Sequence, residues 1–465
     1  MQKILKFIKF SYILLLTLFV FLGVLLYGFF RPVPSFFLTE TDAYNGSEFE
    51  FIQDVGYIKN HQFVYNNMVY NKAYQLIEMA QNLIVLDVPY IPLMNKKEFS
   101  DEELNNPSDL LTLLAKKKRD NPNIQIFIFT DLKSTFYHTN VNPALVFLKK
   151  MGITVGQHDV SFLKDSNKFY AAVYRCFFSI FGTKGKGFFP NPIVSDGEKV
   201  TFRSLLKWLH LKFSYRHLLV TDQYALISSG YFLDSEALIS RTAAVVKGRI
   251  VSDILKSENE LVKALGVSIP DFDIPMIQDE GKDQAQFLTE NKYYQHVIKS
   301  LQDCSESDEV TFVTDEISNS NLIKVLKEAA QNGVTIQLVL NGQNKIRNMV
   351  YLQDLILKSD NKIRLKWYEI QDGEFQNHTL VIKGNRVVVA YVSSVSFSRK
   401  QFSDSCLSSA IRLESHVDLP LGKNIVAYVQ NIWTNQEGHY TVLSDLYMPL
   451  DALDILKIEF LDWVL

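Results

Sequence analysis

Cysteine is scarce in this chain: Cys176, Cys304 and Cys406 are the three in 465 residues, and none forms a CxxC pair. That excludes a zinc ribbon and a dense disulfide framework, while leaving room for one disulfide. An excess of one charge is also missing, since 48 Lys and Arg stand against 51 Asp and Glu. The net charge of −3 supplies no general attraction for nucleic acid, which is disfavoured as a partner. No HExxH and no GxSxG occurs. Gly182-Thr183-Lys184-Gly185-Lys186-Gly187 has the glycines of a phosphate loop without its strand-turn-helix setting or its Lys-Ser/Thr ending. No metal site and no cofactor is implied.

What is present begins with an uncharged run from Ser11 to Phe30, about 20 residues and long enough to cross a hydrocarbon core. It ends in Tyr27-Gly28-Phe29-Phe30-Arg31-Pro32, not in the small residues of a cleavage site, so an uncleaved transmembrane helix is expected. Lys3, Lys6 and Lys9 precede it and only Arg31 follows closely, which places the N-terminus in the cytoplasm. The expected localisation is a single-pass membrane protein with its globular part on the non-cytoplasmic side.

The rest of the chain repeats itself. Helical apolar spacing at Ala73, Leu76, Ile77 and Ala80 leads into the apolar run Leu83 to Val88, and Tyr294, Val297, Ile298 and Leu301 lead into Glu309 to Thr314. A second helix and strand follow in each copy, Leu110 to Ala115 with Ile124 to Asp131, and Leu322 to Lys327 with Val334 to Leu340. Each copy then reaches a histidine before an apolar strand: His217 before Leu218-Leu219-Val220-Thr221-Asp222, and His378 before Thr379-Leu380-Val381-Ile382-Lys383. A duplicated unit of this kind points to one site shared by two halves. Alternating helices and strands imply mostly parallel sheets covered by helices. Between the copies, residues 266–284 hold the prolines and polar residues of a linker. Tyr170 to Pro190 is an insertion carrying Phe177, Phe178, Phe181, Phe188 and Phe189. It reads either as a partly buried loop or as an aromatic, cationic flap on a membrane surface.

The order of elements, Leu218 to Ile227 with the turn Ser229-Gly230, Arg241 to Gly248, and Ser394-Val395-Ser396-Phe397-Ser398-Arg399 together resemble the phospholipase D superfamily, in its cardiolipin synthase-like branch. The resemblance runs over roughly residues 60–415 and implies two phospholipase D-like α/β domains related by a pseudo-twofold. With the anchor, the expected division is 1–33, then domain 1 over 34–265, the linker 266–284, and domain 2 with a C-terminal extension over 285–465. Each copy of the family carries H-x-K-x4-D. One histidine attacks phosphorus while the other protonates the leaving oxygen, and two lysines neutralise the phosphate.

Neither copy here has the whole motif. Counting back from Asp222 puts Tyr215 in the histidine position and His217 in the lysine position; counting from His378 puts Leu380 in place of lysine and Asn385 in place of aspartate. The resemblance therefore implies His378, His217 and Asp222 as catalytic candidates, and Arg216, Lys383, Arg386, Ser394 and Ser396 as phosphate-binding candidates. His217 also fits a buried, hydrogen-bonded core histidine. His138, His158, His210 and His416 read as structural or exposed. The implied partners are a phospholipid membrane and a phospholipid head group, with protein partners unspecified. The expected function is a membrane-anchored, catalytically impaired phospholipid-binding relative of these enzymes. The alternatives are an active phosphatidyltransferase with a rearranged site and a nuclease-like phosphodiesterase.

Overall fold

The apolar runs of the repeat become strands buried on both faces. In the first half Leu83–Val88, Gln125–Asp131 and Thr154–His158 pair in parallel. The helices between them start at side-chain caps: Asp109 accepts from the Thr112 amide at 2.9 Å ahead of Leu110–Asp120, and Asn142 accepts from Ala144 at 3.0 Å ahead of Pro143–Lys150. In the second half Glu309–Thr314, Thr335–Asn341 and Ile363–Tyr368 do the same, joined by Ser320–Gln331 and Lys345–Leu357. The computed structural model describes residues 2–32, 34–92, 100–105, 107–193, 197–270, 272, 281–369, 373–444 and 450–464. Of the expected linker, 271 and 273–280 lie outside the described residues.

Each half then reverses direction. Leu218–Thr221 runs antiparallel to Leu83–Val88 and continues through Tyr224–Ser228 into Ile239–Lys247. His378–Lys383 runs antiparallel to Glu309–Thr314 and continues through Val387–Ser393 into Ala410–His416. The same strand order thus appears in an eight-stranded and a nine-stranded sheet. Both sheets are mixed, which corrects the expectation of mostly parallel pairing. Strands linked by turns as short as Asp222-Gln223 can only lie antiparallel, because a parallel neighbour needs a long crossover. The halves also exchange strands. Tyr44–Gly46 forms an edge of the nine-stranded sheet, and Glu374–Phe375 pairs with Ile239 and Ser240 of the eight-stranded one.

Both sheets contribute to one central core. Val85, Phe129, Val220 and Val246 from the first meet Val313, Val381, Ala390 and Leu413 from the second, with Ile254 and Ile425 from the helices Arg249–Lys263 and Pro420–Thr434. The outer face of each sheet is covered by its own helices. A leucine truncated to alanine in such layers costs about 2–5 kcal/mol, so the two halves hold each other in place.

The expected single-pass anchor is overturned: among the described residues, no helix is long and apolar enough to cross a membrane. The placement of the globular part on the non-cytoplasmic side falls with it. The uncharged run lies within the helix Gln2–Phe30, whose C-terminal part is laid along the helix Lys168–Phe177. Phe21 meets Phe169 edge to face with centroids 5.6 Å apart, and the Lys168 ammonium sits 5.1 Å from the Phe29 ring. Gly28 is buried against Asp165 and Lys168, and Arg31 donates to the Ser161 carbonyl at 2.8 Å. Part of the apolar surface that reads as a membrane span is therefore packed within the chain.

Candidate functional site

His217 and His378 each stand just before or at the start of a strand that runs back against a central parallel strand. Leu83–Val88 ends beside His217, and Thr314, the last residue of Glu309–Thr314, pairs with His378. Both imidazoles are thereby brought to carboxyl ends of parallel strands, where open α/β sheets leave a crevice. They line one cleft of about 590 Å³ between the halves, together with Lys133, Tyr215, Gln376 and Ser394. That volume suits a small ligand or head group.

Alternation along the extended chain decides which neighbours join them. Tyr215 and His217 lie two apart and share the cleft, while Arg216 points away into the interior. There it is fully buried, donating to Glu258 and, at 3.1 Å, to Glu290. Leu380, in the motif's lysine position, is buried in the apolar layer between its sheet and the helices of the second half.

Both imidazoles are nearly closed off from water, 5% exposed for His217 and 9% for His378. Burial, then the positive fields of Lys133 and His378, holds His217 well below the ordinary histidine range. Burial likewise pulls His378 down to about 3. The His217 Nδ1 has no hydrogen-bond partner among the described residues, and the His378 Nδ1 lies 3.4 Å from Thr314 Oγ1. No carboxylate orients either ring among the described residues.

The other expected site residues are placed as follows. Asp222 lies at the far end of its strand from His217, roughly 16 Å along an extended chain. It accepts from the Gln81 and Asn82 amides at 3.2 and 3.1 Å, which makes it a turn-holding residue. Lys383 sits at the opposite end of the strand from His378 and 3.7 Å from Glu309. Arg386 is exposed in the next turn. Neither is in the cleft. Ser394 lines it and accepts from the Ser409 amide at 2.9 Å. Ser396 acts one step back, donating from its amide and hydroxyl to Gln401 Oε1 at 2.9 and 2.8 Å, and Gln401 lines the cleft.

Lys133 escaped sequence reading. The buried strand Gln125–Asp131 ends in a 3₁₀ turn, Leu132–Thr135, capped by Asp131, which accepts from the Lys133 amide at 2.8 Å. The turn holds the Lys133 ammonium 4.7 Å from both the Phe213 and Tyr215 ring centroids. Burial lowers its pKa from the ordinary lysine value, with Asp131 opposing. Its one signal in the sequence is a lysine just past the end of a strand that feeds the crevice. Asp315 and Glu374 also line the cleft; Asp315 accepts from Asn341 and Asn344 at 2.6 and 2.7 Å. The segment from Glu374 to Gln376 closes one side, held by Ser229 donating to the Gln376 carbonyl at 2.9 Å and the Tyr231 amide to Gln376 Oε1 at 2.7 Å.

Two sheets with one repeated strand order and a histidine from each at a shared cleft define a duplicated α/β protein with a phospholipase D-like fold. Residues 297–433 match the family model described as cardiolipin synthase, PLD-like domain, so the resemblance to the phospholipase D superfamily stands. No curated protein matches the chain. Phosphatidylserine synthase of Haemophilus influenzae Rd KW20 superposes with a TM-score of 0.54 at 10% identity, covering 91% of this chain and 97% of that one; the likeness is one of fold. Polyphosphate kinase of Porphyromonas gingivalis gives a TM-score of 0.49 at 12% identity over 89% of this chain and 53% of its own. The phospholipase D family member Nuc of Salmonella typhimurium gives 0.27 at 16% identity over 35% of this chain and all of its own.

Proposed function

We propose that this chain binds the phosphodiester of a phospholipid head group in the cleft between its halves and turns it over very slowly. The observation that carries the reading is the meeting of His217, His378 and Lys133 at one cleft that none of Arg216, Lys383 and Arg386 lines. Lys133 supplies one positive charge to a phosphate where the resembling family supplies two. Each missing donor of developing charge costs about 3 kcal/mol of transition-state stabilisation.

The proton inventory argues the same way. Phosphoryl transfer through histidine needs one neutral imidazole to attack phosphorus and one protonated imidazole to donate to the leaving oxygen. Both rings here are pushed toward the neutral form by burial, and among the described residues neither is paired with a carboxylate that would hold a proton on it. Of the two rings, either can serve as the neutral nucleophile and neither is set up as the protonated donor. Among the described residues the cleft's carboxylates are Asp315 and Glu374, which make it unlike the cationic track that a nucleic acid backbone asks for.

The test uses the full-length chain with phosphatidylglycerol in mixed micelles, following binding and head-group release separately. Saturable binding with scarcely measurable release is expected, and His378→Ala should keep the binding. Steady turnover that His378→Ala abolishes in a folded protein would mean that the site is an active phosphatidyltransferase or phosphodiesterase.

A further inference from the structure

A second cleft, of about 420 Å³, opens on the other side of the turn Leu132–Thr135, which gives Lys133 to the first cleft and Leu132 to this one. Among the described residues four cations line it, Arg31, Arg175, Lys207 and Lys212, and two carboxylates answer them. Asp165 takes both Arg175 nitrogens at 2.7 and 2.8 Å and Lys212 at 2.7 Å, while Asp159 lies 3.8 Å from Lys207. Among the described residues, four positive charges against two negative leave a surplus of two in a half-open cleft. His210, also on the lining, is held down at about 4 by burial and then by Lys212.

A buried donor waits in the same cleft. Tyr137 is 2% exposed, and its hydroxyl has no hydrogen-bond partner among the described residues. Its backbone is unusual: Phe136, Tyr137 and His138 have φ of 41°, 55° and 65°, left-handed for three side chains in succession. Thr183 pins the segment by donating to the Tyr137 carbonyl at 2.6 Å. Conformations of this kind persist where the surroundings over-determine them, and they cluster at ligand sites. An unpaired buried hydroxyl beside surplus cations asks for a ligand that accepts hydrogen bonds and carries negative charge.

The rim names the source of that ligand. Ser179, Gly182 and Thr183 line the cleft, and between them Ile180 and Phe181 stand 77% and 59% exposed. Tyr27 lines it from the N-terminal helix, with Phe30 and Phe188 also exposed. Residues 168–212 carry Lys168, Arg175, Lys184, Lys186, Lys199, Arg203, Lys207 and Lys212 against Asp196 and Glu198, within a chain whose net charge is −3. Aromatic and aliphatic side chains set among cations match the head-group boundary of an anionic bilayer.

We propose that this second cleft seats the phosphate of an anionic phospholipid within a bilayer surface, with Ile180 and Phe181 entering the acyl boundary beside it. The phosphate accepts from the Tyr137 hydroxyl and lies among Arg31, Lys207 and Lys212. The insertion is then a peripheral lipid clasp, and its action does not rest on what the first cleft does.

The experiment places Trp at the rim of the full-length chain as Phe181→Trp, above the background of four native tryptophans, and measures quenching by brominated lipids. Vesicles of phosphatidylcholine containing phosphatidylglycerol should quench it at lower lipid concentration than phosphatidylcholine alone. A Leu357→Trp control, exposed on the helix Lys345–Leu357, should stay unquenched. Lys207→Gln should weaken the preference for phosphatidylglycerol about fivefold, the effect of one cation near an anionic surface. Tyr137→Phe should weaken it with an unchanged melting temperature, and Lys383→Met, at a residue that lines neither cleft, should not alter it. Equal quenching by both vesicle types, or an unchanged preference in both Lys207→Gln and Tyr137→Phe, overturns the proposal. So does millimolar inorganic phosphate binding with no quenching at position 181, which would make this a site for the free ion.

Discussion

Thr242 and Thr379 share a hydrogen bond of 2.6 Å between their side-chain oxygens, one on a strand of the first sheet and the other directly after His378 on a strand of the second. Thr379 also donates to Asn377 Oδ1 at 2.8 Å, and Asn377 donates to the Tyr428 hydroxyl at 2.7 Å. A buried polar chain of this kind fixes where His378 stands relative to the half that carries His217.

Removing one hydroxyl of that pair leaves the other partners unsatisfied. Thr379→Val should therefore cost about 1–3 kcal/mol in urea unfolding. The double variant Thr242→Val with Thr379→Val should cost less than the sum of the singles, by at least about 0.5 kcal/mol. Strict additivity would show that the two hydroxyls do not couple the halves.

Arg216 is expected to act on stability and not on ligand binding. Arg216→Met strands Glu258 and Glu290 as buried carboxylates without their cation, a change that costs about 3–5 kcal/mol for a broken buried pair. Denaturation midpoints measure it. A variant as stable as the parent that had lost head-group affinity would return Arg216 to the site.

Lys133 carries the opposite expectation. Lys133→Met should reduce affinity for phosphatidylglycerol in micelles by about tenfold or more, the worth of one charged hydrogen bond. Its melting temperature should not fall, since the ammonium is held in a desolvated position that opposes its charge. Lys383→Met and Arg386→Met, remote from the cleft, should bind as the parent does. If either of those two weakens binding while Lys133→Met does not, the assignment of the cleft cation is wrong.

The buried imidazoles predict a direction for stability against pH. In the unfolded chain the His378 ring takes up a proton as pH falls through about 6.5, whereas in the folded chain it resists down to about 3. Within that window the unfolded state binds more protons, so stability falls as pH falls and is fully regained above the unfolded value. His217 is shifted in the same direction. Urea unfolding of His378→Gln should therefore show a shallower loss between pH 6.5 and 3 than the parent chain. Parallel pH curves would mean that His378 titrates normally in the folded protein.

Much of this was legible because it depends on local pattern. Leu83 to Val88 and Glu309 to Thr314 declare themselves as strands by unbroken apolar character, and His217 and His378 stand out because each precedes a strand at a corresponding place in the repeat. Lys133 was not legible. Its place in the cleft depends on a 3₁₀ turn and on Phe213 and Tyr215, which arrive from a distant part of the chain. Arg216 misled for the converse reason: next to His217 it looks like a phosphate ligand, and the two carboxylates that claim it come from separate helices, Arg249–Lys263 and Glu290–Gln302.

The duplication, the order of helices and strands in each half, and the pair of strand-start histidines follow from periodicity and residue type alone. The three-dimensional packing supplied what remained. It set mixed sheets in place of parallel ones, packed part of the uncharged N-terminal run on the helix Lys168–Phe177, and sorted the cations into those that face a cleft and those that face a carboxylate. Such choices depend on which surfaces meet, and contact between residues far apart in the chain leaves no periodic trace in the sequence.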